Sequence, residues 1–415
     1  MVPWIVADYV NPHTIDKATP VLLLRSARHG GLAVTRSLGR MGVPVYAIDN
    51  DRRMPAFTSR YCREAFIWDI DRSPAERSIE YLGGIRRKLG CCAVLIPMAD
   101  TGALFIAAYA DVLGQWFTFN HQSFDLVHAL YSKKRMFELA ASVGISTPKT
   151  FFPTSKHEVF EFAGRVRFPI ILKAIENHAH QSTTIVHDKC ELLAAYDSFE
   201  QESSKSNVLL QEYIPGADDN TWMFNGYFDE QSECLFGLTG KKIRQNPPYA
   251  GIASLGVCVH NSVLADTTKR FMKAIGYQGI LDIGFRYDAR DGLYKVFDVN
   301  PRIGCTFRLF VSDTGMDVAR AAYLNLTDQP VNPGSGLSGR KWVVEDLDAV
   351  SSFRYCRDGQ LTVAEWFKSF RGLREFAFFA ADDLHPLLAM FLNDIRESFH
   401  RITRLRFFRF LRRPD

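Results

Sequence analysis

Short apolar runs alternate with amphipathic stretches along the first third of the chain. VLLLRS (21–26) reads as a buried parallel strand. Arg28-His-Gly-Gly31 makes a turn, and Leu32, Val34, Leu38 and Met41 mark a helix that stops at Gly42. The run 43–49, ending at Asp49, follows as a second strand, and the stretch 92–97 starts a further strand–helix step near Asp100. This alternation predicts an open α/β unit over about residues 20–125. Residues 1–19, polar and with Pro3 and Pro12, read as a loose lead-in.

At Ser132 the period changes. Ser132 is placed to cap a helix bearing Met136, Phe137, Leu139, Ala140 and Val143, stopped by Gly144. PIILKA (169–174) and TIVH (184–187) read as strands and 191–198 as a helix, a small unit within 126–210. VLLQEYI (208–214) is a strand running into Pro215-Gly216 and opens a third unit, 211–330. NPGSGLSG (332–339) is a joint, after which 340–415 is expected to be a helical extension with a basic tail.

Composition narrows the class only at the end of the chain. The total of 50 basic and 46 acidic side chains is too even for a nucleic-acid binder. Residues 396–415 carry seven Arg against Glu397 and Asp415, which leaves the rest of the chain near −1. In that tail Ile402, Leu405, Phe408 and Leu411 stand among arginines at near-helical spacing. Two readings follow: contact with an anionic membrane or acidic partner, or a terminal helix docked by its apolar stripe. The eight scattered cysteines show no CxxC pair, as expected of thiols in a reducing compartment. With no secretory leader pattern and no long apolar span, the expected location is cytoplasmic, peripheral at the inner membrane surface if the tail binds lipid.

The most informative stretch is GILDIGFRYDARDGLYKVFDVNPRIG (279–304), two strand-like runs about a tight Asp288-Ala-Arg-Asp-Gly292 reversal. Symmetric pairing about Arg290 sets Asp282 opposite Asp298, with Asn300 on the same face. Opposed carboxylates are unfavourable in a sheet unless a cation lies between them. The donors are all oxygens, which selects Mg²⁺ or Mn²⁺ with phosphate oxygens as further ligands, and Arg302 offers a phosphate fork. The competing reading is a solvated hairpin face with Asn-Pro starting a turn. No Walker loop and no kinase signature is present, so separate lysines would have to hold any phosphate.

Taken in order, these residues resemble the ATP-grasp superfamily, and within it the carboxylate–amine ligase-like group that includes D-aspartate ligases. The resemblance covers about residues 20–330. SKKRMFELAASVGISTPKT (132–150) looks like the family's entry helix, FPIILKA (168–174) like its lid strand, and VLLQEYIPG (208–216) like its hinge. It implies an N-terminal open Rossmann-like (pre-ATP-grasp) domain, a small lid and a metal- and nucleotide-binding core, of mixed α/β and α+β class. Lys133 and Lys173 are then implied to hold nucleotide phosphates. Gln211, Glu212, Tyr213 and Ile214 would meet adenine and Asp219 the ribose. Asp282, Asp298 and Asn300 would hold two Mg²⁺ (or Mn²⁺) ions, and Arg302 would act at the phosphoryl group. Two departures stand out: Asp298 replaces the family's usual Glu, and the lid loop 176–183, with His178 and His180, lacks glycine.

The implied activity is ATP-dependent joining of a small-molecule carboxylate to an amine through an acyl phosphate, without nucleic acid and with a homodimer allowed. The segment GLTGKKIRQNPPYAG (237–251) is a candidate substrate-side loop through Lys241, Lys242 and Arg244, or a solvated basic hairpin tip. Arg308 is a candidate carboxylate holder, and the 28–31 turn resembles a substrate-facing turn that is otherwise an ordinary strand–helix turn. Two other functions compete: an ATP-grasp module that binds nucleotide without turnover, and a dinucleotide-dependent oxidoreductase suggested by strand–GG–helix–strand ending at Asp49.

Overall fold

The computed structural model describes residues 16–26, 28–174, 184–202, 208–249, 251–393 and 395–396. The tail from 397 and the lid loop 176–183, with His178 and His180, lie outside the described residues.

The first unit is a parallel sheet of β1 (Val21–Leu24), β2 (Val45–Asp49), β3 (Cys62–Ile67), β4 (Ala93–Pro97) and β5 (Phe117–Thr118), in the order β3-β2-β1-β4-β5. β1 is fully buried, and helix Arg28–Arg40 packs directly after it. A Cβ on Gly31 would fall 2.8 Å from the Ser26 carbonyl, so the helix can start this close to the strand only with glycine there.

The lid is a four-stranded sheet, β6 (Thr150–Phe151), β7 (Ile170–Ala174), β8 (Thr184–Val186) and β9 (Val208–Glu212), ordered β6-β9-β7-β8. Helices Lys156–Ala163 and Lys189–Glu202 cover it through a core that includes Val159, Leu172, Leu192 and Tyr196.

The central sheet has seven strands. β10 (Thr221–Phe228), β11 (Cys234–Asn246), β12 (Ile252–Cys258), β13 (Gly279–Asp288) and β14 (Leu293–Asn300) form an antiparallel body. One face holds Phe224, Leu281, Ile283 and Val299 against helices Lys133–Ser142 and Ser262–Ala274. The opposite face carries Asp282, Asp298 and Asn300.

The segment after 340 is not simply helical. β15 (Lys341–Val343) pairs with β12, and β16 (Leu373–Phe376) pairs with β15, so the extension completes the central sheet before helices Glu345–Arg357 and Val363–Ser369 cover it. It also reaches back to the first unit. Arg36 Nε donates to Asp383 at 2.9 Å, and its Nη2 donates to the carbonyls of Phe378 and Asp383, both at 2.7 Å.

Candidate active site

Symmetric pairing about Arg290 does not occur. Asp282 faces Asn300, and Asp298 faces Gly284, because the ladder slips between Gly284 and Phe285 and leaves Phe297 unpaired. The Phe297 ring covers Gly284 closely enough that a Cβ there would lie 2.7 Å from its Cζ. The bulge adds one residue to β14, and the slip still leaves the three site residues on one face. Asn300 Nδ2 donates to Asp298 Oδ2 at 3.1 Å and points at Asp282 Oδ2 at 3.5 Å, so a single amide separates the two carboxylates.

These carboxylates differ in character. Desolvation in the cleft, opposed by Arg302 and reinforced by Asp298, pushes Asp282 up to about 6. Desolvation acts on Asp298 too, but Lys133, Asn300 and Lys173 outweigh it and bring Asp298 down to about 2. A Cβ at position 304 would fall 2.4 Å from Asp282 Cγ, so Gly304 lets the loop after β14 close over that carboxylate. Asn225, opposite Asp282 on β10, is fully buried, and its amide favours the charged form of Asp282 without overcoming the desolvation.

Amines surround the pair. Lys133, at the first position of its helix, forms an ion pair with Asp298. Lys173 stands at the end of β7, with Nζ 3.2 Å from Gln211 Oε1 and 5.5 Å from the centre of the Phe297 ring. Burial and the neighbouring Lys133 lower its pKa to about 8. Arg302 is fixed by Asp100 at 2.8 Å and donates to Asn300 Oδ1 at 3.2 Å. The sequence reading under-weighted Lys242: its Nζ donates to the Gly251 carbonyl at 2.9 Å, and its pKa is lowered by burial against the pull of Asp298 and Asp282. Asn225 and Asp100 were missed outright, since nothing local marks a strand asparagine or a helix-start aspartate as belonging here.

The hinge keeps its backbone but not its expected side-chain role. Glu212 accepts from the Lys149 N–H at 2.9 Å and pairs with Arg290 at 2.9 Å and Lys295 at 3.4 Å, so its carboxylate is committed within the protein. Buried Gln211 donates to Thr150 and accepts from Lys173. Arg286 fastens the loop beyond Tyr213 by donating to the carbonyls of Ile214, Gly216 and Ala217. Asp219 is exposed beside Lys241, 3.9 Å away.

Two expectations are corrected. Residues 237–246 are not a loop but most of β11, where Lys241 lies 4.5 Å over the Trp222 ring. Arg244 points away from the cleft, buried in a bidentate pair with Asp348 at 2.8 and 2.9 Å. Arg308 is likewise buried, held by Asp317 and by Glu375 at 2.8 Å. Both arginines tie the C-terminal extension to the core, because it supplies Asp348 and Glu375, partners invisible to local sequence. At the end of β2, Asp49 is buried and its Oδ1 accepts from the N–H groups of Asn50 and Asp51 at 2.8 and 3.3 Å.

Among the described residues no three His, Cys, Asp or Glu side chains converge as a metal site. The donor set is two carboxylates and an amide, all oxygen, with like charges that a cation would relieve. That fits a hard divalent ion sharing its shell with phosphate and water.

No family model matches the chain. It is 27% identical over 240 residues to the D-aspartate ligase of Enterococcus faecium, a stretch covering 55% of this chain and 57% of that enzyme. It is 25% identical over 190 residues to the carbamoyl phosphate synthase large chain of Gemmatimonas aurantiaca, covering 44% of this chain and 17% of the other. Among solved structures it resembles the ADP complex of N5-carboxyaminoimidazole ribonucleotide synthetase, with TM-score 0.62, 10% identity and coverage of 78% and 80%. The L-amino acid ligase of Bacillus licheniformis gives TM-score 0.58 at 13% identity, covering 79% of each chain. With an open parallel-sheet first unit, a lid and a carboxylate-bearing antiparallel core in this order, the chain has the fold of these ATP-grasp structures.

Proposed function

We propose that the protein is an ATP-dependent ligase that activates a small-molecule carboxylate as an acyl phosphate and joins it to an amine. The observation that carries this reading is the convergence of Asp282, Asp298 and Asn300 with Lys133, Lys173, Lys242 and Arg302 in one cleft between lid and core. Phosphoryl transfer needs positioning and charge neutralisation rather than a protein nucleophile, and this set supplies both. Asp282, Asp298 and Asn300 would hold Mg²⁺, which when bound neutralises phosphate oxygens. Lys173, on lid strand β7 and held by Gln211, is placed to meet phosphate. Lys133 would exchange Asp298 for a phosphate oxygen as nucleotide enters. Arg302, anchored by Asp100, presents its fork beside Asn300. The hinge backbone at Gln211–Ile214 takes the adenine edge, and Asp219 with Lys241 flanks the ribose side.

In the reaction, a substrate carboxylate oxygen attacks the γ-phosphorus and the bond to ADP breaks. The amine nitrogen then attacks the acyl carbon, phosphate leaves with the C–O electron pair, and the amine gives up a proton to solvent. The test is a matrix of carboxylates and amines assayed for ADP and phosphate release, with the Asp298→Ala/Asn300→Ala double variant as control. ADP release requiring both substrates, and absent from the variant together with Mg²⁺-dependent nucleotide binding, is expected. Nucleotide binding without any release would leave a non-catalytic ATP-binding module. The domain limits 20–125, 126–210, 211–330 and 340–415 and a homodimer belong to the same proposal, the latter checked by light scattering.

A second reading concerns location. No helix among the described residues is long and apolar enough to cross a membrane. Yet Leu384, Leu388, Phe391, Leu392 and Ile395 stand 49–59% exposed at helical spacing just before the arginine-rich 396–415 stretch. We read this face and tail as docking on an anionic lipid surface. Co-sedimentation with anionic but not neutral vesicles, lost on deleting 396–415, is the expected result; unchanged sedimentation would end the idea.

A further inference from the structure

Strand β11 carries Lys242 into the cleft, and a break in its ladder decides what Lys242 meets. Strict alternation would put Lys242 and Arg244 on one face of the sheet and Gln245 on the other. The pairing with β12 instead slips twice, passing over Ile243 on one strand and Ser254 on the other. Arg244 therefore turns to Asp348, while Lys242 Nζ donates to Gln245 Oε1 at 3.2 Å. A second acceptor, the Gly251 carbonyl, lies 2.9 Å from the same nitrogen. An ammonium group has three N–H bonds. Two are taken here, which leaves the third, among the described residues, for a ligand oxygen.

The C-terminal extension stands behind both acceptors. Gln245 is buried, and its Nε2 donates to Asp218 Oδ1 at 2.9 Å. A carboxylate only accepts, so Asp218 takes the nitrogen end of the amide and turns the oxygen end to Lys242. Asp218 is held in turn by the Tyr355 hydroxyl, which donates to its other oxygen. Tyr355 is buried on helix Glu345–Arg357, about two turns beyond Asp348, so one helix face grips Arg244 and Asp218 together. The same hydroxyl accepts from the Tyr249 N–H at 3.2 Å, and the two rings pack edge-on at 5.1 Å. Tyr249 lies just before Gly251 in the chain, so this bond steadies the stretch that supplies the second acceptor.

A single phenol oxygen thus reaches both acceptors of one cleft lysine, by two routes. Burial and the Asp218 carboxylate push the Tyr355 hydroxyl up, so it remains a protonated donor. Fastening the extension does not call for this arrangement, because Arg36, Arg244 and Arg308 already do so through charged pairs. Asp218 also precedes Asp219, on the ribose side of the cleft, but an effect exerted through Asp219 would be independent of Lys242.

We propose that Tyr355 is a positioning residue for Lys242: through Asp218 and Gln245, and through Tyr249 and Gly251, it aims the remaining N–H of Lys242 at a phosphate oxygen of bound nucleotide, an assignment that rests on the ATP-dependent reading above. The extension thereby sets nucleotide affinity at one remove.

A double-mutant cycle on the full chain tests this, read by calorimetric titration with the Mg²⁺ complex of a non-hydrolysable ATP analogue. Tyr355→Phe keeps the ring and removes only the hydroxyl, and should weaken binding about tenfold. Lys242→Met should weaken it at least as much, and adding Tyr355→Phe to it should cost less than about twofold more. Gln245→Met, which breaks the route inside the sheet, should repeat the pattern. A purely structural role for Tyr355, or one exerted through Asp219, would instead multiply with Lys242→Met to about a hundredfold. That result, or a Tyr355→Phe or Gln245→Met variant that binds like the parent, overturns the proposal. ADP release separates it from the ligase reading. A coupled cycle in a chain that releases no ADP with any carboxylate and amine leaves Tyr355 in its role and removes the ligase. ADP release requiring both substrates, with a multiplicative cycle, does the reverse, and a parent that binds no analogue removes both.

Discussion

Two regions of this molecule collect buried charge, and they treat it oppositely. Where the extension meets the core, each buried arginine finds an acid: Arg244 with Asp348, Arg36 with Asp383, and Arg308 with Asp317 and Glu375. In the cleft the charges are crowded by their own kind. Asp282 is pushed up to about 6 by burial and Asp298, and Lys173 down to about 8 by burial and Lys133. Matched pairs hold a fold together; crowded like charges persist only where something else completes them. This contrast separates Lys173, crowded by Lys133, from Arg308, matched by Asp317 and Glu375.

The largest effect expected from that contrast is in the clasp. Arg308→Met takes the arginine from buried Asp317 and leaves Glu375 with Arg340 alone, and removing one partner of a buried pair costs about 3–5 kcal/mol. Denaturant unfolding should show that loss, with nucleotide affinity of the folded fraction unchanged. A cost below about 1 kcal/mol would erase the distinction between the regions. The clasp also has a pH signature. Burial opposes the charge on Glu375, but Arg308 and Arg340 more than compensate and hold its pKa at about 2. A depressed folded-state pKa means the stabilisation is present above the unfolded value, about 4.3, and is lost as pH falls from there toward 2. Acid titration of thermal stability should therefore steepen below about pH 4.3, and Glu375→Gln should remove part of that slope.

How much of this was legible beforehand follows the same division. The strands carrying the site announce themselves, since PIILKA, VLLQE and the 279–300 hairpin are continuous or alternating apolar runs. The site's ordered motif could be read because Asp298, Asn300 and Arg302 are two residues apart on one strand and its exit. Missed were relations of long range. Nothing local shows that Phe297 bulges and shifts Asp282 from Asp298 to Asn300, or that Arg244 turns to an acid 104 residues away. β3 was overlooked because its edge position leaves Arg63 and Glu64 in an otherwise strand-like run. β15 and β16 are three and four residues long, too short for a period to show.

A smaller, opposite effect is expected in the cleft. Lys173→Met removes a buried amine that folding already disfavours charging, so the variant should be as stable as the parent or more so, by up to about 1 kcal/mol. Nucleotide affinity should nevertheless fall by about tenfold or more, since a charge-assisted phosphate contact is lost. Thermal melts without nucleotide and titrations with it read the two separately. A variant that loses stability in step with affinity would move Lys173 into the structural class.

The hinge supplies the least dramatic case and the finest discrimination. Arg290 is about half exposed, and its pair with Glu212 is one that water and salt can replace, worth about 1 kcal/mol or less. Two pictures of adenine recognition make different claims about it. If the Glu212 carboxylate meets the base, freeing it with Arg290→Gln should alter affinity. The geometry favours the backbone instead, because Lys295 and the Lys149 N–H still hold Glu212 while Arg286 separately pins the carbonyls of Ile214, Gly216 and Ala217. Arg290→Gln is therefore expected to change nucleotide affinity by less than about threefold, under 1 kcal/mol, whereas Arg286→Met, which frees the loop itself, should weaken it more. Equal effects from the two variants, measured by nucleotide titration, would return the role to the carboxylate.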